Sequence, residues 1–528
     1  MNHRRSWLVL ILILVLTLTA SAQSVPSDLD SWVDRTMKTF AVPGVAVAVV
    51  KDGKVLVAKG YGVRELGKPA RVDEHTLFGI ASNTKAFTSA ALAMLVDEDK
   101  LAWNDPVTLH LPWFAIDDPY ITHELTVRDT LSHRSGLGLG AGDLMFFPPS
   151  TLSRDEILRH ARYLKPASSL RSKYAYNNLM FLAAGQIIPV IAGKSWDEFI
   201  KDRIFQPLGM TDSVTDTKSA ITSSNHVVAH SKVDGKITPV GWQGMDNAGP
   251  AGSIASSVTD LSKWVMLQLN RGTTADGKKL FSEKRSAEMW TPTTIVPISK
   301  QPKVLAAATP NFMNYGMGWF LRDYHGRKLV YHTGGLVGQV SKVLLVPEEN
   351  LGIIVLTNQE QGGAFESIVY HLLDHYLNLP KTDWIAAFRE ATDIKEKEAA
   401  ETEQKAREAR AAKSRPSLPL DQYSGDYKDA WYGLISIRPQ EYGLVMKFEN
   451  TPGMIGDLEH WQYDSFIVKW RDRTIPDAYL WFALKHDGSI ESAKMAPVSP
   501  LADFSFDFQD LLLVPLPKLN VSITMVPK

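Results

Sequence analysis

Three short motifs follow one another in order along this chain: Ser82-Asn83-Thr84-Lys85, Tyr176-Asn177-Asn178 and His332-Thr333-Gly334. They lie far apart in sequence, so a chain that uses them together must fold them into one place. Singly they say little: Ser-x-x-Lys alone is expected about twice in a chain this long at average composition. As an ordered set, each in a fitting local context, they describe a serine nucleophile, a proton-transfer network and a strand that holds an acyl group.

A serine hydroxyl is a weak nucleophile and needs a base. No His–Asp partner is identifiable from local sequence. Thr84 to Leu95 is rich in Ala, Leu and Met and reads as a helix, with Ser82 at or near its start. Ser82 and Lys85 are three apart and share a helical face. A lysine at its solution pKa of ~10.4 is protonated at neutral pH, so burial and nearby positive charge must lower it if it is to accept a proton. Phe78-Gly79-Ile80-Ala81 is small and apolar, which fits a close approach of chain and substrate, and a helix N-terminus at Ser82 favours negative charge developing there. Tyr176 can take or relay a proton, and Asn178 can hydrogen-bond both Lys85 and a substrate amide. His332-Thr333-Gly334-Gly335 follows a short apolar strand, and its glycines let a substrate lie against the backbone. The N–H groups of Ser82 and Gly335 can form an oxyanion hole, where one donor is typically worth ~3–4 kcal/mol. Taken singly, the three motifs also fit a surface lysine, two core tyrosines beside a turn, and a glycine turn between strands.

The surrounding pattern predicts an α+β domain. Leu29, Trp32, Val33, Met37 and Phe40 fall on one face of a helix over 26–40. Val45–Val50 and Val55–Ala58 are strand-like runs joined at Asp52-Gly53, a hairpin signal. Residues 100–240 carry turn signals and short helical patterns, as a helical insertion would. Leu329–Tyr331, Lys342–Val346 and Gly352–Thr357 read as strands, and Ala364–Leu377 as a helix. Residues 385–416 form a charged helical linker, exposed along its length and broken at Arg415-Pro416. Beyond it, 417–528 places Tyr423, Tyr427, Trp431, Trp470 and other aromatics among short alternating segments, the pattern of a small, separate β domain. Those aromatics read as core, with a wall- or carbohydrate-binding face as the alternative, and the domain is expected to shape the substrate entrance.

Residues 1–22 read as a signal peptide. His3, Arg4 and Arg5 precede the apolar run Trp7–Leu16, and Ala20-Ser21-Ala22 is a small-x-small cleavage signal. The run is shorter than the ~18 residues a membrane span needs. The mature chain is therefore expected to be exported to the periplasm or medium, with no integral membrane segment after removal of the signal. The hydrolytic domain would then span 23–384. The chain has no cysteine, which excludes thiol nucleophiles and disulfides and leaves stability to the core. A formal net charge of −1 argues against nucleic acid as a partner.

With these residues in place, the chain resembles serine hydrolases of the class C β-lactamase and penicillin-binding-protein type. Leu125-Thr126-Val127-Arg128-Asp129-Thr130-Leu131-Ser132-His133-Arg134-Ser135-Gly136-Leu137 is similar to that family's T-h-x-x-L-L-x-H-x-S-G-L stretch. Pro250-Ala251-Gly252-Ser253-Ile254-Ala255-Ser256 with Asp260-Leu261 is similar to its A-G-G-L-x-S-x-x-x-D-L stretch. The resemblance covers about residues 25–380. It implies an antiparallel sheet flanked by helices, an all-helical region, and a site at their junction, with a small β-barrel-like domain appended. It implies Ser82 as nucleophile, Lys85 and Tyr176 as general base and acid, and Asn178, His332, Thr333 and Gly334 as substrate-binding residues. Ser82 and Gly335 would supply the oxyanion N–H groups. His332 stands where β-lactamases and transpeptidases usually carry Lys. That looks more like esterases, D-amino-acid peptidases and other relatives, and it weighs against strong β-lactamase activity because a mostly neutral His is a weak anion partner.

The expected activity is hydrolysis of an amide or ester through an acyl-Ser82 intermediate. The substrate would be a D-amino-acid peptide, a cell-wall peptide, a β-lactam or a small ester. A carboxylesterase of the same family and a non-catalytic, penicillin-binding-like sensor are the alternatives. A metal-dependent hydrolase is the third reading: His371 and His375 are four apart on a predicted helix. No HExxH accompanies them, a solvated helix face explains them more simply, and no metal or other cofactor is expected.

Overall fold

The computed structural model describes residues 24–441 and 443–517; the signal-peptide expectation over 1–22 lies outside them. The chain opens with α1 (Leu29–Phe40), whose Leu29, Val33 and Phe40 are buried. It continues into the hairpin β1 (Gly44–Lys51) and β2 (Lys54–Gly62). Asp52 and Gly53 both take left-handed backbone angles, φ 52° and 74°, as a tight two-residue hairpin turn requires.

Six later strands complete the sheet: β3 (Thr294–Ile295), β4 (Met313–Tyr315), β5 (Phe320–Tyr324), β6 (Arg327–Leu336), β7 (Gln339–Val346) and β8 (Leu351–Thr357). The order is β2-β1-β8-β7-β6-β5-β4-β3, antiparallel at every pair. Strands β1 and β8 are apolar along nearly their whole length and buried on both faces. Alternate residues of β1 and β8 sort into two cores, as the period of two demands. Val45, Val47, Val49, Ile353 and Val355 pack with α1 and the C-terminal helices of the domain. Ala46, Ala48, Val50, Ile354 and Leu356 pack toward the helical insertion.

Three longer helices frame the sheet and the insertion. α2 (Thr84–Asp97) is buried from Thr84 to Val96, as expected of a helix apolar nearly all round. α3 (Asn178–Ala192) is capped by Asn177, whose side chain accepts the Met180 N–H, and it runs through the helical insertion. That insertion ends in a hairpin, Ala229–Val233 with Lys236–Val240, which its turn-rich sequence did not announce. α4 (Gly362–Tyr376) packs on α1 and the sheet. The charged linker is α5 (Trp384–Ala409). It is not exposed along its whole length: Trp384, Ile385, Ala387 and Ala391 join the core under α4, and the Trp384 ring lies 4.7 Å from Tyr370.

The last part forms a nearly closed, barrel-shaped sheet of eight strands: β9 (Gly425–Asp429), β10 (Gly433–Gln440), β11 (Gly443–Phe448), β12 (Ile455–Gln462), β13 (Ser465–Trp470), β14 (Ala478–Leu484), β15 (Ile490–Pro497) and β16 (Val514–Pro515). Paired backbone hydrogen bonds between Ala493 and Leu513 draw its two ends together. Tyr423, Tyr427, Tyr432, Phe448, Phe466 and Trp470 are buried and fill it. These six are core, whereas Tyr463 and Trp481 lie exposed on the outside of the barrel. The barrel does not stand apart. Between β15 and β16 the chain runs into the first domain, where Phe506 meets Phe147 at 5.3 Å between ring centres.

Candidate active site

Ser82 sits in a single turn of 3₁₀ helix, Ala81–Asn83, that leads into α2. Ala81 holds φ 48°, an uncommon conformation for a residue with a Cβ, which the surroundings must enforce. The enforcing contacts are visible. Asn83 Nδ2 donates to Ser341 Oγ at 2.8 Å, and Ser341 Oγ donates to the Ile80 carbonyl at 2.8 Å. Gly79 N donates to Gln339 Oε1 at 2.9 Å and Ile80 N to the Ile254 carbonyl at 3.0 Å. Strand β7 and the 250s turn together clamp the serine's turn.

Lys85 is wholly buried. Its Nζ lies 2.9 Å from Ser82 Oγ, 2.7 Å from Asn178 Oδ1 and 2.9 Å from the Ala251 carbonyl. The rings of Tyr176 and Phe181 flank it at 4.8 and 5.4 Å. Burial holds its pKa well below the ordinary lysine value, and the charge of Asp143 opposes this only in part. Tyr176 lies beside Ser82 in one cavity, and burial keeps its phenol well above the usual pKa, which the serine hydroxyl offsets only in part. The phenol therefore stays protonated, so of the two groups beside Ser82 Oγ the amine is the one able to accept a proton.

His332 is buried beside the cavity with both ring nitrogens engaged. Nδ1 faces the Thr333 carbonyl at 2.6 Å, which can only accept, so Nδ1 carries the proton and Nε2 accepts from Tyr315 Oη at 2.9 Å. Burial first, and the neighbouring Lys85 second, push its pKa down to about 3. His332 thus brings no positive charge to the site.

Ser82, Tyr176, Asn178, His332, Thr333 and Gly335 converge on one cavity of about 300 Å³. Gly334 is not among the residues that line it. A Cβ there would lie 2.1 Å from the Ile80 carbonyl and 2.5 Å from Ser341 Oγ. The missing side chain lets β6 press against the serine's turn. Gly335 is the glycine that faces open space. A larger depression of about 560 Å³, lined by Pro207, Lys263 and Asn270, holds none of the motif residues. His371 is stacked on Trp32 at 4.0 Å and bonded to Asp28 at 3.1 Å, and His375 Nε2 meets the Ser24 carbonyl at 2.7 Å.

Several site residues carry no decisive signal in the sequence. His133 lies within the family-like stretch 125–137 but has no role assigned by pattern; it accepts the Asn177 N–H through Nδ1 at 3.1 Å, and its ring packs 4.1 Å from that of Tyr176. Tyr315 has no local signal at all. Asp143 is bonded through Nδ2 of Asn178 at 2.8 Å; its one hint is a lone carboxylate in the apolar run Ala141–Phe147. Asp503, Phe504 and Ser505, from the barrel, complete the cavity wall.

The sheet order, the helical insertion and the Ser82–Lys85 turn define a protein of the β-lactamase and penicillin-binding type. Residues 29–377 match the family described as Beta-lactamase, and the chain belongs to it; residues 409–515 match a domain of unknown function, DUF3471. Among curated relatives, the chain is 28% identical over 440 residues to "Unguisins hydrolase ungD'" of Aspergillus campestris (strain IBT 28561), covering 79% of this chain and 78% of that protein. It is 29% identical over 366 residues to "Protein flp" of Staphylococcus aureus (strain NCTC 8325 / PS 47), covering 68% of each. In fold it is similar to the octameric penicillin-binding protein homologue from Pyrococcus abyssi, with a TM-score of 0.58 and 20% identity over 92% of this chain and 99% of that one.

Proposed function

We propose that this protein is an exported serine hydrolase that cleaves an amide or ester through an acyl-Ser82 intermediate. The observation that carries this reading is the 2.9 Å approach of Lys85 Nζ to Ser82 Oγ inside a site where burial favours the neutral amine. Lys85 takes the hydroxyl proton as Oγ attacks the substrate carbonyl. The N–H groups of Ser82 and Gly335 receive the developing oxyanion, and the proton taken by Lys85 returns through the Tyr176 hydroxyl, which gives one proton to the departing amine or alcohol as it receives another and so ends protonated. Water then releases the acyl group. The hydrolase name carried by the Aspergillus relative supports the class of reaction, and the pattern of residues 1–22 supports export to the periplasm or medium.

Charge narrows the substrate. With His332 neutral, the cavity wall carries the acidic side chain of Asp503 beside the aromatic rings of Phe147, Phe320 and Phe504. That wall suits neutral or amine-bearing peptides and esters over carboxylate-bearing β-lactams. The test is intact-protein mass after a fluorophosphonate and, separately, a penicillin, with Ser82→Ala as control. The expected result is a fluorophosphonate adduct that is lost in Ser82→Ala, with slow or absent acylation by penicillin. No adduct and no penicillin loss with folded protein would overturn the hydrolase reading in favour of a binding module.

A further inference from the structure

Behind Asn178, on the wall of the cavity, lies a carboxyl group that the acylation chemistry does not use directly. Asp143 is fully buried. Its Oδ2 accepts two hydrogen bonds, from Asn178 Nδ2 and from Ser505 Oγ, each 2.8 Å. Its Oδ1 is buried with no hydrogen-bond partner among the described residues. Asn178 in turn presents its amide oxygen to Lys85 Nζ at 2.7 Å.

An amide can be turned end for end, and the two orientations differ little in shape. Here they differ in chemistry. With the oxygen toward Lys85 the ammonium has an acceptor; with the nitrogen there, donor would face donor. Asp143 Oδ2 can only accept, so it pins the amide nitrogen and leaves the oxygen for Lys85. A proton on the unpartnered Oδ1 leaves both bonds to Oδ2 intact.

The anchor of Asp143 comes from the other domain. Ser505 belongs to the segment between β15 and β16, and the same segment places Asp507 against the backbone on either side of Asp143. Gly142 N donates to Asp507 Oδ2 at 2.7 Å and Leu144 N to Asp507 Oδ1 at 3.1 Å. Ser505, Phe506 and Asp507 are all buried in this contact. Each domain thus supplies a carboxyl group that accepts hydrogen bonds from the other. A contact made only to glue two domains together has no need to end on the amide that touches Lys85.

We propose that Asp143 and Ser505 are positioning residues for acylation: Asp143 fixes the amide of Asn178 so that its oxygen holds Lys85, and Ser505 of the barrel domain holds Asp143. The barrel is then part of the acylation apparatus. This rests on the proposed acyl-Ser82 chemistry with Lys85 as base.

The test measures fluorophosphonate labelling of the full chain, separating the maximal labelling rate from the reagent's apparent affinity. Asp143→Leu, similar in size with no acceptor, is expected to lower the maximal rate about 100-fold, as small misplacements of reacting groups do. Ser505→Ala is expected to lower it about tenfold. Apparent affinity should be unchanged in both. Asp143→Asn, whose amide oxygen can receive the same two bonds, should restore most of the rate lost in Asp143→Leu, and Ser505→Thr most of that lost in Ser505→Ala. Ser505→Ala and Asp143→Asn keep the test open should Asp143→Leu fold poorly. Unchanged rates in folded Ser505→Ala, or failure of Asp143→Asn to recover any rate, would overturn the assignment. Absence of labelling in the unmodified protein would instead overturn the acyl-Ser82 reading.

Discussion

At the scale of single residues, the site turns on one amine kept out of water. A base must be neutral to take a proton, and burial makes the ammonium of Lys85 the costlier form. The labelling rate of Ser82 should therefore rise with pH through a lowered Lys85 pKa and level off well below pH ~10.4, the value for a lysine in water. The charge of Asp143 works against burial by favouring the ammonium. In Asp143→Asn that support is gone, the neutral amine persists to lower pH, and the acid limb of the rate profile should move down. A limb that stayed in place or moved up would show that Asp143 carries no charge near Lys85. His332 stays neutral throughout the accessible range for the same reason, burial beside a potential cation, so it should add no limb of its own above pH ~5.

At the scale of elements, the serine's turn is held in an uncommon backbone conformation by strands on one side and a helix on the other. Gly334 is where strand and turn touch. Gly334→Ala would put a methyl 2.1 Å from the Ile80 carbonyl; it should cost about 2–4 kcal/mol of stability and slow acylation by shifting the turn. Gly335→Ala, one residue on, meets nothing within 4 Å and should leave the melting temperature unchanged while altering the apparent affinity for substrate. Thermal melts of the two variants side by side check the contrast. The elements legible in the sequence are those whose signal is local. The Asp52-Gly53 turn, the valine runs of β1 and the alternating aromatics of the barrel each follow from a period or a dipeptide. Ser82 and Lys85 are legible because three residues of helix join them. Asp143 and Ser505 are not, since 362 residues separate them and neither lies in a repeating pattern. The buried first turns of α5 read as exposed because their charged neighbours dominate the composition, and only packing under α4 shows which face is covered.

At the scale of the molecule, the two domains share one cavity. Phe504 projects from the barrel, edge-on to Tyr176 with ring centres 5.6 Å apart, and it bounds the cavity that Ser82 lines. Phe504→Ala should raise kcat/KM for substrates with bulkier acyl groups by about tenfold, with little change for small ones; a series of esters of graded acyl size would show it. An equal response across the series would place Phe504 outside the acyl subsite. The joint wall also has a consequence in time. Asp143 leaves the ribosome 362 residues ahead of Ser505, a delay of about 20–70 s at ordinary synthesis rates. Throughout that interval the nascent chain carries Ser82 and Lys85 but lacks the hydroxyl that bonds Asp143. If Ser505 holds Asp143 as proposed, the order of the two domains along the chain acts as a clock: full reactivity at Ser82 follows only once the segment that carries Ser505 has been made and folded.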